Sequence, residues 1–160
     1  MTVLTDRPAG AGAITPRDSI SADLFVRLVA RIAREQNIPI DHAERIMDQA
    51  LAFLRVCAAN PGARLTPSPQ VDIGWHAFIL YTAEYAGFCY AVAGRFIHHR
   101  PEDTPGERGP GAERLAATVE AMRAAGLPVD EDLWTCAGEC GEGLCSQCYQ
   151  GCADDPKTEG

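Results

Sequence analysis

Apolar side chains recur every three or four positions from Ser21 onward. Leu24, Phe25, Leu28, Val29 and Ile32 fall on one side of a helical wheel, and Arg27, Arg31 and Arg34 fall elsewhere. That period predicts an amphipathic helix that fades near Gln36, with Pro39 separating it from the next element. A second stripe, Ile46, Met47, Ala50, Leu51 and Leu54, follows Asp41 and Glu44, whose spacing matches a capping box with Asp in place of the usual Ser or Thr. His42 in this first turn reads as a solvated side chain, and Cys57, near the end of the stripe, as a buried structural thiol. Asn60, Pro61 and Gly62 stop the helix.

Ser68 and Pro69 have the character of an N-cap and a first helical residue, because proline supplies a helical φ where its missing amide costs little. The helix they open is expected to run to Ala93, with Val71, Trp75, Phe78, Ile79, Thr82, Tyr85 and Phe88 forming a broad aromatic face that packs on the first two helices. Gly94 allows a turn into Arg95-Phe96-Ile97-His98-His99-Arg100-Pro101, and residues 102–111 read as an exposed loop rich in Pro, Gly and charge. A further helix is expected over Ala112–Ala125, with Leu115, Val119 and Met122 inward and Gly126 as its C-cap. Asp130 is placed to cap one more turn through Trp134. No internal repeat and no strand is expected. The fold class is all-α: a compact bundle of about four helices. The expected organisation is a flexible leader over 1–17, a helical domain over 18–134 and an irregular, acidic, cysteine-rich tail over 135–160.

A chain of 160 residues is long enough for one modest hydrophobic core. Its first residues lack a basic start followed by an apolar run, and no apolar stretch reaches the roughly 18 residues of a membrane span. The formal charge of −8 is concentrated at the C-terminal end, where Asp130, Glu131, Asp132, Glu139, Glu142, Asp154, Asp155 and Glu159 face Lys157 alone. Without a basic patch, binding to nucleic acid would lack its main source of affinity, and an anionic membrane would repel the tail. The expected partner is therefore a metal ion, with a protein partner left open.

Of the 7 cysteines, Cys136, Cys140, Cys145, Cys148 and Cys152 cluster in the tail. In a reducing, cytoplasmic setting such clusters hold metal more often than they form disulfides. Gly138, Gly141, Gly143 and Gly151 let the backbone turn tightly enough for thiolates to converge, and Cys145 and Cys148 have a common chelating spacing. Four thiolates in a tetrahedron favour zinc. An iron–sulfur cluster would take four as well, although these spacings match no common cluster pattern. Five candidates exceed four positions, so either one cysteine is spare or a more distant residue takes part. The alternative for the tail is a thiol redox element or a segment modified by a partner enzyme.

A second constellation lies on the aromatic helix. Asp72 and His76 are four apart, hence one turn apart on one face, where carboxylate and imidazole can bind one metal or each other. His98 or His99 could fold back to complete a mixed nitrogen and oxygen site, and of the two His98 is favoured. The plainer reading is a hydrogen-bonded structural histidine oriented by Asp72. The more chemical one is a metalloenzyme in which Asp72, His76 and His98 hold a second transition metal with an open position. No phosphate-binding loop, nucleophile elbow or His-Glu-x-x-His motif is present.

Pro67-Ser68-Pro69, Val71-Asp72, Trp75-His76, Ile79-Leu80, Tyr85, Phe88-Cys89 and Gly94-Arg95-Phe96-Ile97-His98-His99-Arg100-Pro101 together resemble the glycine-rich domain-containing-protein-like family. The resemblance implies a predominantly helical domain in which Asp72, Trp75, His76, His98 and His99 form the characteristic centre. It implies no particular reaction, and the cysteine-rich tail lies outside it.

Overall fold

Ser21 opens α1 (Ala22–Gln36) by accepting a hydrogen bond from the Leu24 amide at 3.2 Å. The helix ends at Asn37, which takes the left-handed conformation at φ 51°, while the Ile38 amide returns to the Ala33 carbonyl. Its buried face, Leu24, Phe25, Leu28, Val29, Ile32 and Ala33, is the stripe expected from the 3.6-residue period. A computed structural model describes residues 15–100, 111–135 and 151–154 of the chain, and the statements below concern those residues.

α2 (Ile40–Ala59) runs through the middle of the core and buries Ile46, Met47, Ala50, Leu51, Phe53, Leu54 and Cys57. Its start departs from the expected capping box. The N-cap is Pro39, so Asp41 lies inside the first turn, where a carboxylate complements the helix dipole without serving as the cap. α3 (Pro69–Ile79) begins as expected, with the Ser68 hydroxyl accepting from the Val71 amide at 3.1 Å and donating to the Leu133 carbonyl at 2.5 Å. α2 and α3 meet at Gly74, where a Cβ would lie 2.7 Å from Ala50 Cβ. Only a glycine lets the two backbones approach so closely.

The single helix expected over Pro69–Ala93 is two helices. α3 stops at Ile79, Tyr81 leaves the helical region with ψ 68°, and α4 runs over Thr82–Ala93. The break folds the aromatic face onto itself. Phe78 lies 5.2 Å from both Tyr85 and Phe88, ring centroid to ring centroid. In a continuous helix Phe78 and Tyr85 would be separated by about 10 Å of axial rise. α4 closes on Gly94 at φ 67°, and Arg95 then donates to the carbonyls of Cys57 and Ala58, tying the C-terminal end of α2 to the exit of α4.

α5 (Gly111–Ala124) buries Leu115, Thr118, Val119 and Met122 and ends at Gly126 with the Leu127 amide bonded to the Met122 carbonyl. Thr118 accepts from the Thr66 amide at 2.9 Å, which anchors α5 to the segment entering α3. Beyond it, buried Gln49 receives the Trp134 indole N–H at 2.7 Å and the Asp130 amide at 3.1 Å, and donates to the Pro128 carbonyl. Asp130 precedes the short 3-10 turn Glu131–Leu133 without capping it through its side chain; its carboxylate is taken by Arg45 at 2.7 Å. At the other end Pro16 is buried within a 3-10 turn, and Arg17 pairs with Asp48 at 2.6 Å.

The fold is mostly helical, but against the expectation of no strand it contains a two-stranded antiparallel pair. β1 (Ile97–Arg100) pairs antiparallel with β2 (Gly151–Asp154), in a register that sets Ile97 opposite Asp154, His98 opposite Ala153, His99 opposite Cys152 and Arg100 opposite Gly151. Among the described residues, no helix is long and apolar enough to cross a membrane.

Candidate metal centre

α3 carries Asp72 and His76 on one face. Asp72 is buried at 7 % exposure, whereas the His76 side chain is 52 % exposed, so the pair spans from the core edge to solvent. β1 brings the third residue, His99. In a strand, alternate side chains share a face. Ile97 points into the core at 1 % exposure, and His99, two residues on, lies on that same side with its side chain 13 % exposed.

His98 therefore faces away from the centre and packs against Phe96, with ring centroids 4.8 Å apart. The preference for His98 as third ligand is corrected to His99, and the reason is strand phase. The structure brings Asp72, His76 and His99 together and leaves His98 outside. Cys136, Cys140, Cys145 and Cys148 lie outside the described residues. Cys152 is described only as a backbone position in β2, opposite His99.

The three residues meet through four atoms, both carboxylate oxygens of Asp72 and the Nε2 atoms of His76 and His99. His99 Nε2 is 2.9 Å from Asp72 Oδ1 and 2.8 Å from His76 Nε2, and His76 Nε2 is 3.4 Å from Asp72 Oδ2. A ring nitrogen offers one in-plane site, filled by either a proton or a lone pair. The two facing ring nitrogens and the carboxylate converge on one point, where a single cation would meet all three residues. Around a tetrahedral zinc with bonds of about 2.0–2.1 Å, neighbouring donors stand roughly 3.3 Å apart. The observed separations lie on either side of that, and the exposed His76 ring has room to adjust. Asp72, His76 and His99 thus form a group that could hold a metal ion.

The walls of the centre are aromatic. The Trp75 ring lies 4.4 Å from the His99 ring and 5.3 Å from Phe53, and its indole N–H donates to the Tyr85 hydroxyl at 2.9 Å. Tyr85 in turn donates to the Ile97 carbonyl at 2.6 Å, so one hydroxyl links α3, α4 and the start of β1. Burial pushes the Tyr85 hydroxyl well above the ordinary phenol range, and burial likewise raises the neighbouring Cys89 thiol. A protonated Tyr85 hydroxyl is the donor that the Ile97 carbonyl accepts. The helical period places Tyr85 in the core and gives its hydroxyl no task. The signal the sequence offers is the pairing of Trp75 and Tyr85, two polar-tipped aromatics whose donors need partners when buried.

A mostly helical domain with an aspartate–histidine–histidine centre is the class these observations define. The chain matches the family model described as UCP032817-like over residues 21–114, more than half of its length, and belongs to that family. The matched span contains Asp72, His76 and His99 and stops before the cysteine-rich tail. Searches of curated proteins and of solved structures found no match.

Proposed function

We propose that this protein binds a divalent transition metal, zinc in first place, through Asp72, His76 and His99, and that the ion stabilises the junction of α3 and β1. The observation that carries the proposal is the convergence of donor atoms from Asp72, His76 and His99 on one point. One carboxylate and two imidazoles suit zinc and also iron, and the aromatic surround would exclude competing water from the inner side of the ion. The test is metal content by inductively coupled plasma mass spectrometry on full-length, untagged protein. His76→Ala should lower the bound metal by one equivalent; unchanged content would sink the reading.

The sequence-based parts of the reading accompany this centre. A second zinc on tail thiolates is supported by the spacing and the glycines of residues 136–152, as is the division into a helical domain over 18–134 and a tail over 135–160. A reducing, cytoplasmic compartment is supported by the same cysteine usage. The motif resemblance to the glycine-rich domain-containing-protein-like family is supported by Val71-Asp72, Trp75-His76 and His98-His99, within the family-matched span.

A metalloenzyme is the second reading, and the exposure of His76 favours it: the outer side of the centre opens to solvent. A fourth position held by water there would supply a nucleophile at neutral pH. The two readings part on whether a protein group occupies that position.

A further inference from the structure

Arg45, Asp48 and Gln49 share one face of α2, because residues three and four apart on a helix are neighbours, with Cβ atoms about 5–6 Å apart. Two other parts of the chain return to that face. The 3-10 turn at Pro16–Ser19 comes from the N-terminal side and residues 128–130 come from beyond α5, and a cleft of about 420 Å³ stands between them. Small-molecule sites span roughly 300–1,000 Å³, so the cleft suits a small ligand. Its walls are fixed. Gln49 is buried and held by hydrogen bonds to the Pro128 carbonyl, the Asp130 amide and the Trp134 indole, and Pro16 and Pro128 line the cleft with rigid rings. A preformed wall lowers the ordering cost of binding.

The cleft presents both signs of charge on firm supports. Arg17 grips Asp48 through Nε and Nη2 at 2.9 and 2.6 Å, and Arg45 grips Asp130 through the same two atoms at 2.7 and 2.8 Å. Two parallel bonds orient a guanidinium plane as a single bond cannot. Neither Nη1 makes a hydrogen bond among the described residues, and each carboxylate has more acceptor positions than its arginine fills. Asp132, 3.1 Å from Arg45, adds a further negative charge beside the pairs. A bare anion there would meet carboxylates at close range, and a bare cation would meet two guanidiniums. We propose that this cleft binds a small zwitterion, an amino acid or a dipeptide, with its carboxylate on the open Nη1 edges of Arg17 and Arg45 and its ammonium on Asp48 and Asp130. None of these residues belongs to the metal centre, so the two sites stand or fall separately.

The probes are L-alanine, L-alanyl-L-alanine, the N-acetylated dipeptide, which keeps only the carboxylate, and the dipeptide amide, which keeps only the ammonium. Each is titrated to millimolar concentration into nitrogen-labelled full-length protein, and amide chemical shifts are followed by NMR. At least one zwitterion should move the amides around Arg45 to Gln49, and each blocked dipeptide should bind at least tenfold more weakly than L-alanyl-L-alanine. Tighter binding of L-alanine would assign the cleft to free amino acids, and tighter binding of the dipeptide to short peptides. Arg17→Gln and Asp48→Asn should each weaken the preferred zwitterion about tenfold, the loss of one charge-assisted contact. Both side chains are partly exposed, and the N-acetylated dipeptide separates a lost contact from a lost fold. It has no ammonium, so Asp48→Asn should leave its affinity undiminished; an equal loss for both ligands would overturn the assigned role of Asp48. Equal binding of all three dipeptide forms would overturn the charge reading. A dipeptide amide that matches its parent would reduce the site to an acidic patch, and absence of shifts with both zwitterions would remove it.

Discussion

Tyr85 shows how one hydroxyl can set the geometry of a site it never touches. It receives the Trp75 indole N–H and donates to the Ile97 carbonyl, and it is 1 % exposed. Tyr85→Phe keeps the ring and strands both partners in the core, and a buried polar group left unmatched costs about 1–3 kcal/mol. The urea midpoint of the variant should fall accordingly with an unchanged slope; an unaltered midpoint would show that the two partners find other bonds. The same scale shows where sequence reading stops. Asp72 and His76 were legible as a pair because a helix makes residues four apart neighbours. Choosing between His98 and His99 required the phase of a strand, and that phase is set by Ile97 entering a core built from other elements.

The elements differ in how openly the sequence announces them. α1, the body of α2, and α5 follow from an apolar period within one segment and from end signals such as Ser21 and Gly126. The break at Tyr81 was hidden because Phe78 and Tyr85 are seven apart, so the stripe continues across it as though the helix were straight. β1 was hidden because it is short and its hydrogen-bonding partner lies beyond α5. The contact between α2 and the turn at Glu131–Leu133 is likewise non-local, and it is electrostatic. The Arg45 guanidinium holds the Asp130 carboxyl below its usual range, chiefly by a direct hydrogen bond. A carboxyl depressed in the folded state adds stability above its unfolded pKa of about 3.9, and that contribution is lost as pH falls through the folded value. Asp130→Asn should therefore melt below the parent at neutral pH, and the gap should close in strong acid. Thermal melts across that range read the difference directly, and a gap independent of pH would assign the effect to packing instead of charge. The pair is partly exposed, so the effect is expected to be small.

As a whole, the molecule has one continuous apolar core. α1, α2 and α3 bury a continuous apolar cluster running from Leu24 to Trp134, which should hold residues 18–134 together when metal is withdrawn. Among the described residues, Gly151–Asp154 meets the rest of the chain in the β1–β2 ladder. Chelation should then expose residues 135–160 to protease in one step while the helical domain stays resistant, as limited proteolysis with mass spectrometry would show. Equal cleavage with and without chelator, in protein known to carry metal, would remove the tail from the metal's influence. The tilted packing of Trp75 against His99 at 4.4 Å also gives the molecule a built-in optical gauge. A paramagnetic ion such as copper(II) in the centre would drain the excited indole, so in a Trp134→Phe background the emission of Trp75 should dim in proportion to occupancy. The state of the centre would then be readable in unlabelled protein, second by second, with nothing more than a fluorimeter.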